Sequence, residues 1–566
     1  MKPFLFSLFF LLTGALCRGQ ASLSGSVLSP AGLAVPGATV QLQAKGFRQT
    51  ALSNDSGRFR LQGVPRGTVL LTVRHTGFDP YTASLVFDGT DTSVTVPLSV
   101  QLTTLPAVEV TGRTARKYNS DYSFGATRFA VLNKELPQAI STITKELIAD
   151  RQAFHLADAV RMASGVIPSS YYNQYAIRGI SQNEEGQIVN GMRTRQYYFL
   201  QPLTTHIERV EVIKGPASAT FSSVDPGGSI NLVTKKPLAT PRREIGISVG
   251  SFSTIRGTLD FTGPLNEEKT LLYRVNGAYQ EARSYRDLVS NKSFLLAPSL
   301  SYLPGPNTAI NVELTGSNMR GNLDRGQPIF GAVAGRTDLN STPIGLNLGA
   351  ASDYFHSKEL TVMGTFGHKF TRRLGVNVAY MKQTWTEDLQ EHRTTNAFGV
   401  DTANRPVSSL AAMQFVQRRQ YWNTDNINSY LTYEAQTGSV RHQLLLGYDL
   451  HRWEKGKGGG QNAARGYLLK DGTVAPSYNP AQAALYQTMV HNGVTLPRPN
   501  VAHFDLSHPS YPIRSSGDYL LNVRTALPPA LTRTQALYFQ ELLHWRKFHL
   551  LLSLRHEWFR DITRYR

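Results

Sequence analysis

Hydrophobic and polar residues alternate in short runs along most of the chain, which is the pattern of half-buried β-strands. In residues 21–104, every second residue from Ala38 to Ala44 and from Val69 to Val73 is apolar, so each set shares one strand face. Turns with glycine or proline, such as Pro36-Gly37 and Pro65-Arg66-Gly67, separate the runs. This first segment is predicted to be a small β-sandwich.

The pattern changes in residues 113–242, where helical spacing appears. Thr144 is predicted to be the N-cap of a helix over residues 145–151, and apolar residues at Leu156, Val160 and Ala163 keep helical spacing until Gly165 ends the run. Short strands broken by loops follow. The segment is therefore predicted to be an α+β domain.

From residue 243 to residue 566 only strand-like segments recur, each near ten residues long. Short turns and long polar loops separate them in turn, which predicts part of an antiparallel transmembrane β-barrel; the long loops are expected at residues 320–357, 388–425 and 454–533. About eleven strands are predicted, at residues 244–249, 255–262, 271–280, 292–302, 308–318, 359–366, 374–385, 426–435, 441–453, 534–545 and 548–559.

Composition agrees with a secreted membrane protein without membrane-spanning helices. The 566 residues are 41% hydrophobic with a mean hydropathy of -0.25, and no uncharged apolar run of about 18 residues follows the N-terminus. Lys2 and the apolar run Phe4 to Leu12 predict a signal peptide at residues 1–20. An uncleaved anchor and a lipoprotein site at Cys17 are the alternatives. Cleavage after Cys17 leaves a mature chain without cysteine ligands or nucleophiles.

The net charge of +19 suits anionic lipid, lipopolysaccharide or an acidic ligand, whereas secretion argues against nucleic acid. Basic pairs such as Arg418 with Arg419 and Lys455 with Lys457 fall in predicted loops. A generally basic, solvated surface explains the charge equally well.

Six motifs between residues 136 and 237 resemble, in order and spacing, the plug domain of TonB-dependent siderophore receptors. They are residues 136–140 (LPQAI), 163–166 (ASGV), 176–179 (AIRG), 189–193 (VNGMR), 207–216 (IERVEVIKGP) and 225–237 (DPGGSINLVTKKP). The first segment, with residues 37–40 (GATV), 54–59 (NDSGRF) and 64–67 (VPRG), resembles the carboxypeptidase-regulatory-like domain, which binds or spaces and carries no catalytic residues.

The resemblance implies a bacterial outer-membrane receptor that imports a ferric siderophore with energy from TonB and its inner-membrane complex. It implies no resident cofactor, because the iron arrives as the siderophore chelate, and no enzymatic activity. The extended segment between sandwich and plug looks like a TonB box, which another protein captures as an added strand. This box comprises Leu105, Pro106, Ala107, Val108, Glu109, Val110, Thr111 and Gly112.

Charged residues and glycines of the plug are expected to have structural roles, because unpaired charges are costly in a partly dry lumen. In the family such charges hold the plug against the barrel wall, and the glycines permit turns and close backbone approach. These residues are Arg178, Gly179, Glu208, Arg209, Glu211, Lys214, Gly215, Pro216, Gly227 and Gly228.

Two loops rich in tyrosine and arginine, residues 169–175 and 193–201, are expected at the plug apex. Such side chains suit an anionic, hydroxyl-rich chelate; packing of the tyrosines against the barrel wall is the alternative. The candidate ligand-binding residues are Tyr171, Tyr172, Gln174, Tyr175, Arg193, Arg195, Gln196, Tyr197 and Tyr198.

Family barrels have about 22 strands, which with their loops need roughly 500 residues. Only 324 residues follow position 242, so about half a barrel is expected and the chain reads as a C-terminally truncated fragment; a smaller complete barrel is the alternative. Other cargoes, such as a glycan or another metal chelate, and a non-transporting remnant remain open. His356 and Glu359 are the one spacing noticed for two zinc ligands, without a catalytic framework around it.

Overall fold

The computed structural model describes most of the chain. The described residues are 21–29, 32–44, 46–75, 78, 81–98, 118, 120, 122–123, 128, 131–133, 136, 138–170, 172–182, 187–195, 201–215, 226–326, 330, 342–546 and 548–563. The predicted signal peptide and the predicted TonB box lie outside them. Two structural units are present, the first ending near Thr103 and the second containing everything from Ala115 onward.

The first unit is a β-sandwich, as predicted. A three-stranded sheet in the order β4-β1-β7 and a four-stranded sheet in the order β3-β2-β5-β6 form it in the described part of the unit. Val40, Leu42, Val69 and Leu71 point into the shared core and are fully buried. The strands are β1 (Ser22–Leu28), β2 (Thr39–Ala44), β3 (Phe47–Leu52), β4 (Arg58–Gln62), β5 (Gly67–Arg74), β6 (Tyr81–Phe87) and β7 (Thr92–Pro97).

The second unit begins with the α+β domain, called the plug below. Its main sheet has the order β10-β16-β17-β14-β15, and a smaller sheet has the order β11-β12-β13. The elements are β8 (Tyr122–Ser123), β9 (Val131–Leu132), β10 (Ala139–Thr144), α1 (Lys145–Asp150), α2 (Leu156–Val160), β11 (Val166–Pro168), β12 (Tyr175–Ile177), β13 (Ile180–Ser181), β14 (Gln187–Val189), β15 (Met192–Arg193), β16 (Ile207–Lys214) and β17 (Gly228–Thr234).

Local sequence signals explain the helices of the plug. The Thr144 hydroxyl accepts a hydrogen bond from the backbone N–H of Leu147 and so caps α1, as predicted. Gly165 has a φ of +71° and closes the segment after α2. Both helices pack on β16 and β17 through a buried apolar cluster that includes Ile148 and Leu156.

The rest of the unit is one large antiparallel sheet. Its continuous path runs β18-β19-β20-β21-β22-β23-β24-β25-β26-β34-β35. The strands are β18 (Arg242–Gly250), β19 (Thr254–Pro264), β20 (Leu271–Arg283), β21 (Ser290–Gly305), β22 (Thr308–Gly321), β23 (Tyr354–Lys369), β24 (Leu374–Val400), β25 (Pro406–Thr437), β26 (Val440–Lys455), β34 (Ala530–Trp545) and β35 (Phe548–Thr563). Within the described residues, β18 and β35 are its two edges.

Side chains alternate across this sheet as they do in a membrane barrel. On β21 the outward-facing residues Phe294, Leu296 and Leu300 are exposed, whereas Ser293 and Leu295 on the other face are buried. Exposed aromatic residues lie in two belts, one near the short turns (Tyr302, Phe366, Phe370, Tyr433, Trp545 and Phe548) and one further along the strands (Tyr279, Phe294, Tyr380 and Phe559). The predicted fold class is confirmed.

The two ends of the sheet differ in the length of their connections. Residues 265–270, 306–307, 370–373 and 438–439 form short turns at one end, and the two long connections, between β22 and β23 and between β26 and β34, join strands at the other end. In outer-membrane barrels the short turns are periplasmic and the long loops extracellular. The long-loop end is called the outer end below. No helix among the described residues is long and apolar enough to cross a membrane.

The prediction of a loop at residues 388–425 is wrong. Those residues continue β24 and β25, which are 27 and 32 residues long and stay paired through residues 388–394. About ten residues suffice to cross a membrane, so this hairpin extends far beyond the outer face. The predicted loop 454–533 also contains strands: β27 (Gly460–Ala464), β28 (Tyr467–Leu468), β29 (Val474–Ala475), β30 (Thr488–His491), β31 (Val494–Pro497), β32 (Phe504–Asp505) and β33 (Val523–Ala526).

Candidate functional site: the plug and the lumen wall

A hydrogen-bonded group of three side chains, Arg209, Glu211 and Asn231, lies inside the plug sheet. The Nε of Arg209 donates to Glu211 Oε1 at 2.7 Å, and Asn231 Nδ2 donates to Glu211 Oε2 at 2.9 Å. Glu211 is fully buried, so these donors offset the cost of removing its charge from water. Asn231 also accepts from the backbone N–H of Gly191 at 3.1 Å, which ties β17 to the β14–β15 turn.

Some of the predicted plug charges have partners within the plug itself. Glu208 binds Lys145 at 2.7 Å, which is a contact within the plug, and Lys214 donates to the hydroxyls of Ser141 and Ser164 at 2.8 and 3.0 Å. Arg178 is exposed and forms no ion pair with any residue that the structure describes. Burial, followed by the charge of Arg178, lowers the pKa of Lys214.

Two glycines allow the plug backbones to approach closely. A Cβ atom on Gly228, whose φ is +139°, would lie 2.2 Å from the carbonyl oxygen of Ile213. A Cβ atom on Gly227 would lie 2.5 Å from the carbonyl oxygen of Ile177. Gly179 and Gly215 have φ values of +81° and +83°, which serve turns. Pro216 lies outside the described residues.

The end of β17 is anchored to the barrel wall by the lysine pair of the last plug motif. Lys235 Nζ binds Asp260 Oδ2 at 3.1 Å, and Asp260 also accepts from Arg274 at 2.8 and 2.7 Å. Lys236 Nζ binds Glu313, and Thr234 Oγ1 donates to the same carboxylate at 2.5 Å. These wall contacts come from residues that the sequence placed in a motif without assigning them a role.

Arg128 makes a second anchor on another part of the wall. Its Nη1 donates to Asn428 Oδ1 at 2.8 Å and also reaches the Tyr538 hydroxyl. The guanidinium carbon lies 4.6 Å from the centre of the Tyr538 ring and 5.5 Å from that of Tyr430. Since β25 and β34 carry these partners, the plug contacts the sheet at two separate groups of strands.

The plug apex contacts the wall toward the outer end. The Tyr172 hydroxyl donates to the carbonyl oxygen of Asp324 at 2.5 Å. Asn426 Nδ2 of β25 donates to the carbonyl oxygen of Arg193 at 2.8 Å. The guanidinium carbon of Arg195 lies 3.8 Å from the centre of the Trp453 ring, a cation–π contact.

Three tryptophans line the wall around this apex. Trp385 and Trp422 are directly opposite each other on β24 and β25 and stack with their ring centres 4.1 Å apart. Trp422 meets Trp453 of β26 edge to face at 6.1 Å. Tyr172 packs against the same buried cluster. The sequence analysis missed this cluster, although three of the five tryptophans fall near the outer ends of predicted strands.

The candidate ligand-binding residues that the structure describes do not all lie at the plug apex. Tyr172, Arg193 and Arg195 come together at the apex, and the Gln174 carbonyl oxygen closes the preceding turn by accepting from the backbone N–H of Ser169 at 3.0 Å. Tyr175 is a correction: it is 1% exposed and lies in the plug core, because β12 turns its ring inward. The remaining candidates, Tyr171, Gln196, Tyr197 and Tyr198, lie outside the described residues.

Two plug histidines titrate far from their ordinary range. Burial, followed by the charge of Lys235, lowers the pKa of His206 to about 4. Burial also lowers the pKa of His155 to about 4, against the opposing effect of Asp158. Both imidazoles are therefore neutral at neutral pH.

The fold does not support the alternative of a zinc site at His356 and Glu359. His356 and Glu359 lie on β23 three residues apart, so they point to opposite faces of the strand and cannot share one ion. The described residues contain no cluster of three or more histidine or carboxylate side chains arranged to hold a metal.

Comparison with known families identifies two domains. Residues 133–229 match the TonB-dependent receptor plug domain, and residues 22–102 match the carboxypeptidase regulatory-like domain. These matches support the resemblances found in the motifs.

Individual relatives and a solved structure are also similar to this chain. The chain is 31% identical over 347 residues to the metal-pseudopaline receptor CntO of Pseudomonas aeruginosa (strain UCBPP-PA14), covering 59% of this chain and 46% of that receptor. It is 24% identical over 345 residues to the ferrichrome outer membrane transporter/phage receptor of Escherichia coli (strain K12), covering 56% of this chain and 45% of that protein. The crystal structure of the ferripyoverdine receptor of Pseudomonas aeruginosa matches with a TM-score of 0.63 at 18% identity, covering 83% of this chain and 57% of that one.

The chain thus spans about half the length of the curated relatives it matches. The first of those relatives is named as a receptor, and the second as an outer-membrane transporter and phage receptor. The chain therefore contains a TonB-dependent receptor plug domain at residues 133–229, and its plug and antiparallel strands share the fold of a solved outer-membrane receptor.

Proposed function

We propose that the protein binds a ferric siderophore or a related metal chelate at the outer end of the lumen and imports it with energy from TonB. The observation that carries the proposal is the meeting of plug and wall at one place: the Arg193 backbone carbonyl accepts from Asn426 of β25, and the Arg195 guanidinium lies over the Trp453 ring of β26. Cationic and aromatic side chains suit anionic chelates with planar groups.

Metal chelates are favoured over glycans by the names of the relatives. The relatives reported above are receptors for metal-pseudopaline and for ferrichrome, and the solved structure holds ferripyoverdine. The metal is cargo in this proposal, so the protein needs no resident cofactor. The predicted partners are TonB with its inner-membrane complex, captured at residues 105–112, and the lipid and lipopolysaccharide around the barrel.

Energy coupling requires the plug to be held firmly until TonB acts. The anchors at Asp260 and Glu313 lie where β17 leads into β18, so a pull on the N-terminal side of the plug is resisted by the wall at the far end of the domain. Arg128 is closer in sequence to the predicted TonB box than these anchors are, and it contacts β25 and β34. We propose that rearrangement begins at this nearer contact.

The test separates binding from import. The full chain is produced in the outer membrane of a strain that lacks its own siderophore receptors, and radioactive iron is supplied as hydroxamate, catecholate and carboxylate chelates. Saturable binding of at least one chelate, with import that disappears when residues 105–112 are removed, supports the proposal. Absence of binding to every chelate overturns it, and binding without import supports the non-transporting alternative.

A further inference from the structure

Three polar side chains of the lumen wall lie buried beneath the plug apex. Thr424, His451 and Trp453 are 0%, 3% and 6% exposed. Among the described residues, Thr424 Oγ1, His451 Nε2 and Trp453 Nε1 each have no hydrogen-bond partner. A buried polar atom without a partner is costly, so three of them close together indicate a place prepared for a ligand.

Strand register brings the three side chains to one patch. Thr424 lies directly opposite Trp453 across β25 and β26, and Asn426 lies directly opposite His451. Positions 424 and 426 face the lumen, as do positions 451 and 453, because alternate residues share a face. Directly opposed side chains have Cβ atoms about 5 Å apart. The patch is therefore continuous.

The plug determines the charge of the patch. Asn426 holds the backbone at Arg193, and Arg195 lies over the Trp453 ring at 3.8 Å. Both guanidinium groups are near enough to His451 to act on it electrostatically. The Thr424 hydroxyl and the Trp453 indole N–H are donors, and the imidazole donates from Nε2 in one of its tautomers. Two cations and up to three donors suit an acceptor with negative charge.

We infer that Thr424, His451 and Trp453 form, with Arg193 and Arg195, the site that selects cargo bearing carboxylates or similar anionic oxygens. This inference rests on the proposed function and specifies the class of chelate. Carboxylate oxygens accept several charge-assisted hydrogen bonds at once. A neutral hydroxamate chelate gives the two guanidinium groups no charge to bind, so the patch discriminates against it.

The test uses the full chain in detergent and measures retention of radioactive iron chelate on a filter, a readout that does not depend on Trp453. The probes are two anionic carboxylate chelates, ferric citrate and ferric EDTA, and one neutral ferric trihydroxamate. Arg195→Gln removes a charge, Trp453→Phe removes the indole donor and keeps a ring, and Thr424→Val removes only the hydroxyl. Arg452→Gln, between the site positions but on the outward face, is the matched control.

Ferric citrate or ferric EDTA is expected to bind, and R195Q and W453F to weaken that binding at least tenfold. T424V should weaken it about threefold, and R452Q should leave it within twofold. If W453F fails to fold, as shown by its protease digestion pattern, R195Q and T424V still decide. Anionic binding that R195Q and T424V leave within twofold of the parent overturns the inference.

The outcomes also distinguish the inference from the function on which it rests. Binding of only the neutral trihydroxamate overturns the inference and leaves the proposed function standing. Failure of all three probes to bind counts against both. Binding of an anionic probe with loss in R195Q, but with no import in cells, supports the site and contradicts transport by this chain.

Discussion

Arg274 of β20 donates two hydrogen bonds to Asp260 of β19, at 2.8 and 2.7 Å, and both side chains are buried. The same guanidinium donates to the backbone carbonyl oxygen of Lys236 at 2.8 Å, and Lys235 binds the same carboxylate. One ion pair of the barrel wall thereby holds the last residues of the plug.

The first prediction is that Asp260→Asn loosens the plug. Removing one charge from a buried pair leaves Arg274 and Lys235 without compensation, which costs on the order of 3 kcal/mol. Limited trypsin digestion of outer-membrane fragments should cleave the plug of the variant at least tenfold faster. Glu244→Gln, which breaks an exposed pair with Arg242, is the control and should change little. Equal digestion of both variants would contradict the anchor.

A second prediction concerns the close approach of β16 and β17. Gly228→Ala places a methyl group 2.2 Å from the Ile213 carbonyl oxygen and adds backbone strain at a φ of +139°, so the plug should lose about 3 kcal/mol of stability. Hydrogen exchange at residues 207–214 measures the loss. Gly257→Ala, where no atom lies within 4 Å, should change exchange little. Normal exchange in G228A would disprove the steric role.

Acid should weaken the plug through His206. Its pKa is lowered from an ordinary 6.5 to about 4, so the folded state favours the neutral imidazole. The contribution of the neutral imidazole to the free energy of unfolding is complete above pH 6.5. It is lost as the pH falls from 6.5 to 4, because the unfolded state binds the proton first. The loss is on the order of 2 kcal/mol after allowance for partial solvent exposure.

Chemical unfolding of the parent and of His206→Asn at pH 7 and pH 4.5 measures this effect. The parent should lose more stability between the two pH values than the variant does. His155, which also titrates near 4, is common to both proteins and cancels in the comparison. An identical pH dependence in the two proteins would exclude His206 as a contributor.

The predicted TonB box lies outside the described residues and is tested by function. Val108→Pro removes a backbone donor that strand addition needs, so import should be abolished while chelate binding is retained. Val108→Ala keeps the donor and is the control. Normal import by V108P would refute the box at residues 105–112.

Much of the fold could be predicted from local pattern. The strand predictions for the barrel coincide with β18 to β26, β34 and β35, because a membrane imposes strict alternation on each strand. The outer parts of β24 and β25 escaped prediction. Beyond the membrane neither face is required to be apolar, so the sequence Glu391-His392-Arg393 gives no alternation although the strands stay paired.

Packing among the outer strands and connections involves long-range contacts that pattern does not reveal. His392 illustrates this: its Nδ1 contacts Asp353 Oδ1 at 2.6 Å and its Nε2 contacts the Tyr519 hydroxyl at 2.9 Å, although 39 and 127 residues separate them in sequence. The plug residues Lys235 and Lys236 were visible as part of a motif, but their wall partners Asp260 and Glu313 were not.

The sequence by itself determined the sandwich, the plug, the barrel strands and the resemblance to TonB-dependent receptors, because periodicity, turns and motifs are properties of neighbouring residues. Only the tertiary structure decided that Tyr175 belongs to the plug core and that Arg195 lies on Trp453. It alone also brought Thr424 and Trp453 into register. Burial and charge compensation depend on side chains tens to hundreds of positions apart in sequence, and strand pairing across the sheet brings those side chains together.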